Sequence, residues 1–479
     1  MSESQDSQKN PSPDLQINCI PLKTGLLNHH ETSMYILAEF TTGSMPSRLK
    51  EKTRTPIALS IVLDRSGSMR GRPLIEAIKC AEYIIKNSHP TDFVSLVTYD
   101  NSAQLISPLL ICNEENKELM IKELSKVKSG GSTNLEAGWR IGAQSIEAGM
   151  KNKLLPENTL KRVFLLSDGQ LNCGIIDDSI ILDSCSEFAA MGISTSTYGL
   201  GHDFNEQIMV DMSQSGEGNS YYGETVDDLM EPFVDELSLL QQLAVKNLKC
   251  SSKSMGHPAI KDITVINELK YIDENNNEID MNLWNRENRD LSEVWCRLQN
   301  IPFDAKRNVL FKITVDLTKG NSDVQDGTNI PILTVIASYD DIDGDSKELQ
   351  SEAVILPALS MDIYQELTKN TQVDEKKQEL SVTQLQQTIR THLRNGNISE
   401  ARHVLDQLAK SAMNNAHLTA VIEDLRQLLE SRSYRLLSKE ISFNRRYYSN
   451  SLESTRSGIE DREYMSRKIR KGSSRRRRS

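Results

Sequence analysis

The stretch IALSIVLDRSGSMRG, residues 57–71, decides how the rest of the chain is read. Residues 57–64 are a continuous apolar run broken only by Ser60 and closed by Asp64, the pattern of a strand buried on both faces of a sheet. Two hydroxyls follow the carboxylate, Ser66 and Ser68, set among Gly67 and Gly71. Asp and Ser also close turns and cap helices, so the triplet alone has a plain structural explanation. Pro73 then opens PLIEAIKCAEYIIKN (73–87), whose apolar residues recur at helical spacing.

Working outward, strand and helix patterns alternate from 57 to 240. DFVSLVTYD (92–100), KRVFLLSDG (161–169) and GISTSTYGLG (192–201) read as strands, with SAQLISPLL (102–110) pairing as an edge hairpin. LEAGWRIGAQSIEAGM (135–150), 179–190, 203–214 and 226–242 read as helices. Such alternation predicts an α/β domain over 55–242, a doubly wound, Rossmann-like, mostly parallel sheet with helices on both faces. Sheets of this kind bind ligands outside the carboxyl ends of their strands, where strand order reverses. Asp64 and Asp168 fall at two such ends, and the loop SGGSTN (129–134) brings Thr133 to the start of a helix at the same rim.

The flanks differ. Residues 245–358 carry short strands with Asn/Asp/Gly turns, the signature of an antiparallel β-sandwich. Strand-like segments within 15–54 complete that sandwich, so the α/β domain is inserted in it or lies next to it. Alternation in SMYILAEF (33–40) predicts one buried face. Residues 360–440 read as a helical hairpin or small bundle, 1–14 as a disordered leader, and 441–479 as a Ser/Arg-rich disordered tail.

The chain has 479 residues and a net charge of −11, yet 466–479 carry eight basic residues and no acid. An acidic body with a short basic tail is not a nucleic-acid-binding domain, although the tail suits contact with an anionic surface or a targeting role. No apolar stretch is long enough to span a membrane, and no signal peptide is read at the start. Seven scattered cysteines without a C-x-x-C pair argue against a disulfide framework or zinc finger and for a reducing compartment. The cytoplasm is the expected location, the nucleus being the alternative that the basic tail allows.

Asp64, Ser66, Ser68, Thr133 and Asp168 offer only oxygens, two carboxylates and three hydroxyls. That donor set suits a hard divalent cation: magnesium first, with manganese or calcium as alternatives. Other signals carry less. The G-x-G of YGLGHDF lacks its third glycine, Phe204 standing in its place, and reads as a turn. Asp341, Asp343, Asp345 and Glu352 have calcium-loop spacing, but Ser346 replaces the required glycine, so a hairpin turn is expected. No G-x-S-x-G elbow or Walker A motif occurs, and Trp139 is expected in the core.

D-x-S-x-S after the first strand, Thr133 in a Gly-rich loop and S-D-G after a later strand resemble the von Willebrand factor A domain and its metal-ion-dependent adhesion site. VLDRSGSM, GSTN, LLSDG and YGLGHDFNE are similar to the bacterial-type and calcium-activated-chloride-channel-like branch, and the flanking sandwich to inter-alpha-trypsin-inhibitor heavy chains. The resemblance covers about residues 55–240. It implies that Ser66, Ser68 and Thr133 are hydroxyl ligands, that Asp64 and Asp168 act largely through water, and that a carboxylate of a partner completes the shell. The expected function is a non-enzymatic protein–protein interaction module binding an Asp or Glu of a protein partner. The alternative is a subunit of a larger complex working with an ATPase or ubiquitin ligase on another chain.

Overall fold

The computed structural model describes residues 15–45, 55–168, 170–200, 206–223, 242–267, 300–318, 324–342, 344–411 and 416–431, with shorter stretches between them and at 452–454. The leader 1–14, the turn after Leu200, most of the closing helix 226–242, Asp343 and most of the tail, including 466–479, lie outside the described residues. The chain divides into two compact units, residues 52–241 and residues 1–51 with 242–479. Among the described residues no helix is long and apolar enough to cross a membrane.

Three strands precede the inserted unit: β1 (Gln16–Pro21), β2 (Leu26–Leu27) and β3 (Glu31–Thr41). The inserted unit then alternates as its sequence predicts. It runs β4 (Ile57–Asp64), α1 (Arg72–Asn87), β5 (Phe93–Tyr99), β6 (Ala103–Ile111), α2 (Glu114–Leu124), α3 (Leu135–Lys151), β7 (Leu160–Ser167), α4 (Asp178–Ala190), β8 (Ile193–Leu200), α5 (Glu206–Ser215) and β9 (Glu217–Gly223). The sheet order is β6-β5-β4-β7-β8-β9, all parallel except the β5–β6 pair. The expected α/β class is the one observed. Every residue of β4 and β5 is buried, because helices cover both faces and leave these central strands no solvated side. The chain leaves β4 toward β5 and returns to β7 on its other side, so the crevice between the ends of β4 and β7 is the switch point.

Helix α3 packs hard on this sheet. Its cap is Asn134, whose side chain accepts the Ala137 N–H at 3.3 Å. Trp139 is fully buried, as expected, donates to Thr195 Oγ1 at 3.0 Å and meets Phe188 edge-on. Gly138 and Gly142 let the helix approach: a Cβ at Gly138 would overlap the Tyr99 ring, and one at Gly142 would overlap Val62.

In the other unit, β10 (Leu243–Ser254), β11 (Ile260–Val265), β12 (Lys270–Ile272), β13 (Glu278–Ile279), β14 (Trp295–Arg297), β15 (Ile301–Pro302), β16 (Ala305–Asp316), β17 (Asn329–Asp340), β18 (Ser346–Gln350) and β19 (Val354–Leu359) build two sheets. One has the order β1-β3-β16-β11; the other is β13-β12-β14-β10-β17-β19-β2, with β15 on β10 and β18 on β17. β3 pairs with β16 along its whole length, Glu31 opposite Asp316 through Thr41 opposite Lys306. Met34, Ile36, Ala38 and Phe40 point into one core with residues of β10, β16 and β17. The alternation predicted a single buried face, but Leu37 on the opposite face is also fully buried. It packs with Leu310, Val373 and Leu380, because a helix lies over that sheet.

That helix is α7 (Thr371–Arg394), which follows the short α6 (Met361–Glu366) and precedes α8 (Ile398–Ser411) and α9 (Ala416–Glu430). Val382, Ile389, Leu405, Leu408, Ile422 and Leu425 share one apolar core, so the helical region holds more than a hairpin. β17 and β18 form an antiparallel pair, and Asp341 N–H donates to the Asp345 carbonyl at 3.0 Å where the chain passes between them. Within the stretch 441–479, Leu452–Ser454 form β20, antiparallel to Ala305–Arg307. The reason is an open edge, since β11 pairs only with Phe311–Val315 and leaves that side of Ala305–Arg307 unpaired until β20 takes it.

Gly142→Ala tests the close packing of α3. Alanine favours the helix by up to about 1 kcal/mol, while overpacking typically costs about 1–3 kcal/mol. The overlap with Val62 and the 2.9 Å approach to Ser60 Oγ involve buried groups on a central strand, so overpacking wins. Calorimetry of the full chain should show a lowered unfolding midpoint; an unchanged or raised one would mean that α3 is not held at this distance.

Candidate metal centre

Three strand ends supply the rim. β4 ends at Asp64, β5 at Tyr99 and β7 at Ser167, and their register sets Asp64 opposite Tyr99 and Leu63 opposite Leu166. Asp64 therefore lies between Tyr99 and Ser167, and it is fully buried. Its Oδ1 accepts the Ser66 N–H at 2.8 Å. Its Oδ2 accepts the Ser167 hydroxyl at 2.7 Å and the Tyr99 hydroxyl at 3.1 Å. The Ser66 hydroxyl also hydrogen-bonds this carboxylate, so donors from the two neighbouring strand ends and the following turn fix its orientation.

The turn after Asp64 is a single 3-10 turn, Gly67–Met69, anchored by fully buried Met69. Ser66 is buried, Ser68 is exposed, and their hydroxyl oxygens lie 3.1 Å apart. Ser68 also hydrogen-bonds the Asp168 carboxylate, whose Oδ1 accepts the Gln170 N–H at 3.1 Å. Thr133 is buried on the neighbouring loop, which is tied to the serine turn at two points: Gly67 N–H donates to the Gly131 carbonyl at 2.7 Å, and Gly130 N–H to the Arg65 carbonyl at 2.6 Å. The five residues picked out in the sequence thus fall within one hydrogen-bonded assembly at the switch point.

The electrostatics are unfavourable for two anions. Burial is the main cause that pushes the Asp64 carboxyl up to about 6, and repulsion from Asp168 adds to it. Burial also raises Asp168, against the Ser68 hydrogen bond. Among the described residues neither carboxylate has an ion-pair partner; the neighbouring Arg65 pairs instead with Asp100 at 2.9 Å. Tyr99 is held well above its usual range by burial and by Asp64, so its hydroxyl keeps its proton and donates. Two buried carboxylates ringed by hydroxyls fit a hard divalent cation that supplies the missing positive charge. Among the described residues no cluster of three or more His, Cys, Asp or Glu side chains stands ready for a metal, so the fit rests on the mixed carboxylate–hydroxyl set.

Sequence reading missed the supports. Tyr99 and Ser167 orient Asp64; Asp100 and Arg65 brace the loop, Gly130 lying so close to the Asp100 carboxylate that a Cβ would overlap it. Asn172 accepts the Thr133 N–H at 2.6 Å. Ser167 and Tyr99 each abut an aspartate in sequence, but only the strand register shows that both reach Asp64.

Residues 59–235 match the family model described as von Willebrand factor type A domain. An uncharacterized protein of Synechocystis, sll0103, is 25% identical over 364 residues, 75% of this chain and 79% of that one. Mouse inter alpha-trypsin inhibitor, heavy chain 4, is 24% identical over 185 residues, 38% of this chain but only 19% of that protein. The solved structure of a von Willebrand factor type A protein from Catenulispora acidiphila superposes with a TM-score of 0.61 at 13% identity, covering 88% of this chain and 90% of that one. The ArnB paralog VWA2 from Sulfolobus acidocaldarius gives 0.53 at 16% identity, covering 91% and 98%.

The raised Asp64 carboxyl makes a signed prediction for the metal-free protein. In the unfolded chain it ionises near pH 4, in the fold near 6, so folding favours the proton. Stability held below pH 4 is lost as pH rises through 6. With chelator present, Asp64→Asn should be more stable than wild type at pH 7–8 by on the order of 2 kcal/mol, and the gain should vanish toward pH 4. Urea unfolding across this range measures it; a gain independent of pH would separate the effect from the carboxylate charge.

Proposed function

Residues 59–235 are a von Willebrand factor type A domain, and from that premise we propose that this chain is a non-enzymatic, divalent-metal-dependent module that binds a carboxylate of a protein partner. Domains of this family generally mediate protein–protein interactions. The observation that carries the reading is the proximity of buried Asp64 and Asp168, neither with a cationic partner among the described residues, beside the hydroxyls of Ser66, Ser68 and Thr133.

Ser66, Ser68 and Thr133 would offer neutral hydroxyls to the cation, and Asp64 and Asp168 would balance its charge. A magnesium ion held largely by neutral oxygens stays electron-poor and takes a partner's Asp or Glu as a further ligand. Tyr99 and Ser167 hold Asp64 in place, and the loop carrying Thr133 is braced through Arg65 and Asp100. Ser68 is exposed, which leaves an approach from solvent. The cytoplasm is the compartment we propose, on the cysteine usage.

Calorimetric titration of magnesium and manganese into the full chain tests this. Wild type should bind one ion. Ser167→Ala, which removes a hydroxyl orienting Asp64 and no ligand, should weaken binding by about 10–100-fold. Asp64→Ala should abolish it. Equal titrations for all three proteins, or none for wild type, would sink the reading.

A further inference from the structure

The rim of the candidate centre has unlike sides. On one, the turn that carries Ser66 and Ser68 continues into Arg70 and Arg72, both exposed, and among the described residues neither has an ion-pair partner. On the other, the loop after Asp168 carries Ile175 and Ile176 and the first turn of α4 carries Ile180, exposed to 37%, 60% and 47%. Three large aliphatic side chains standing in water within six residues are a patch rather than scatter, and such patches mark contact surfaces.

The aliphatic patch is fixed to the centre. Asn172 and Cys173 donate their N–H groups to the Thr133 carbonyl at 3.3 and 3.2 Å. Gly174, at φ +73°, lies where a Cβ would overlap the Asn134 side chain. Ile175 is two residues beyond Cys173, so the chain keeps its Cα within about 7 Å of that anchor. Asp177 then caps α4, accepting the Ser179 N–H at 2.9 Å. Asp177 and Asp178 put negative charge beside the isoleucines, so acids of a partner are disfavoured there and favoured toward Arg70 and Arg72.

We propose that the partner segment is acidic at one end and aliphatic at the other: one carboxylate at the centre, further acids facing Arg70 and Arg72, and Leu- or Ile-type side chains covering Ile175, Ile176 and Ile180. The proposal rests on the metal-dependent reading above and adds the chemistry of the partner on both sides of its carboxylate. Covering the isoleucines removes apolar surface from water, worth roughly tenfold in affinity for one well-packed side chain.

The test uses the full chain in manganese buffer and fluorescent peptides Asp-Asp-Glu-Leu-Leu and Leu-Leu-Glu-Asp-Asp, each compared with versions whose leucines, or whose two aspartates, are serine. At least one order should bind wild type roughly tenfold tighter than its leucine-free version, and chelator should abolish binding. The double variant Ile175→Ser/Ile176→Ser should erase the leucine preference, and Arg70→Glu/Arg72→Glu should erase the aspartate preference. Both variants should titrate manganese as wild type does, which shows that they fold and that the centre is intact. Manganese binding with no peptide binding, or with peptides indifferent to leucine, would overturn this inference alone. Absence of manganese binding to wild type would overturn it together with the reading on which it rests.

Discussion

Two carboxylates share a buried crevice at the end of a parallel sheet, and most of the local structure exists to hold them there. Burial and mutual repulsion disfavour their charges. Protein dipoles partly answer this: the Ser66 N–H and the Ser167 and Tyr99 hydroxyls for Asp64, the Ser68 hydroxyl and Gln170 N–H for Asp168. These donors orient the carboxylates without neutralising them. The guanidinium of Arg65, next to Asp64 in sequence, is drawn to Asp100, which keeps it as a brace for the Gly130 loop. A site of this kind holds strain in its charge rather than in its backbone.

The sheet makes that arrangement affordable. The connections leaving β4 and β7 run to opposite sides at the switch point, so side chains at these two strand ends meet in a crevice. The strands beneath are buried on both faces and dense with Val, Leu and Ile, giving the rim a rigid floor. Gly138 lets α3 lie against Tyr99, which presses the phenol into line with Asp64. A packing feature in the middle of a helix thus bears on the geometry of a carboxylate at the rim.

The flanking unit shows the same economy. β3 fills the sandwich core with one face and meets α7 with the other, where Lys377 lies over the Tyr35 ring and Gln372 donates to Glu39 at 2.9 Å. Its partner β16 is separated from it in sequence by the whole inserted unit, so their pairing closes a very long loop. Closure entropy rises only slowly with loop length, which is why an insertion of this size is tolerable.

How much was legible in the sequence follows from the range of the interactions. Buried strands, helix starts at Pro73 and Asn134, and the α/β class depend on local periodicity and capping, which sequence carries directly. Asp64, Ser66 and Ser68 are neighbours in the chain, and Thr133 and Asp168 stand out because the one precedes an unmistakable helix and the other follows an unmistakable strand. Tyr99, Ser167, Asn172 and the Arg65–Asp100 pair did not stand out, because their roles depend on which strand ends lie side by side and in what register. The second buried face of β3 and the strand at Leu452–Ser454 were likewise set by what the fold brings against an otherwise open face or edge. The sequence alone determined most of the elements and the oxygen-bearing residues of the candidate centre; tertiary structure alone decided which groups support them, because hydrogen bonds across strand ends join residues tens to a hundred positions apart that no local pattern relates.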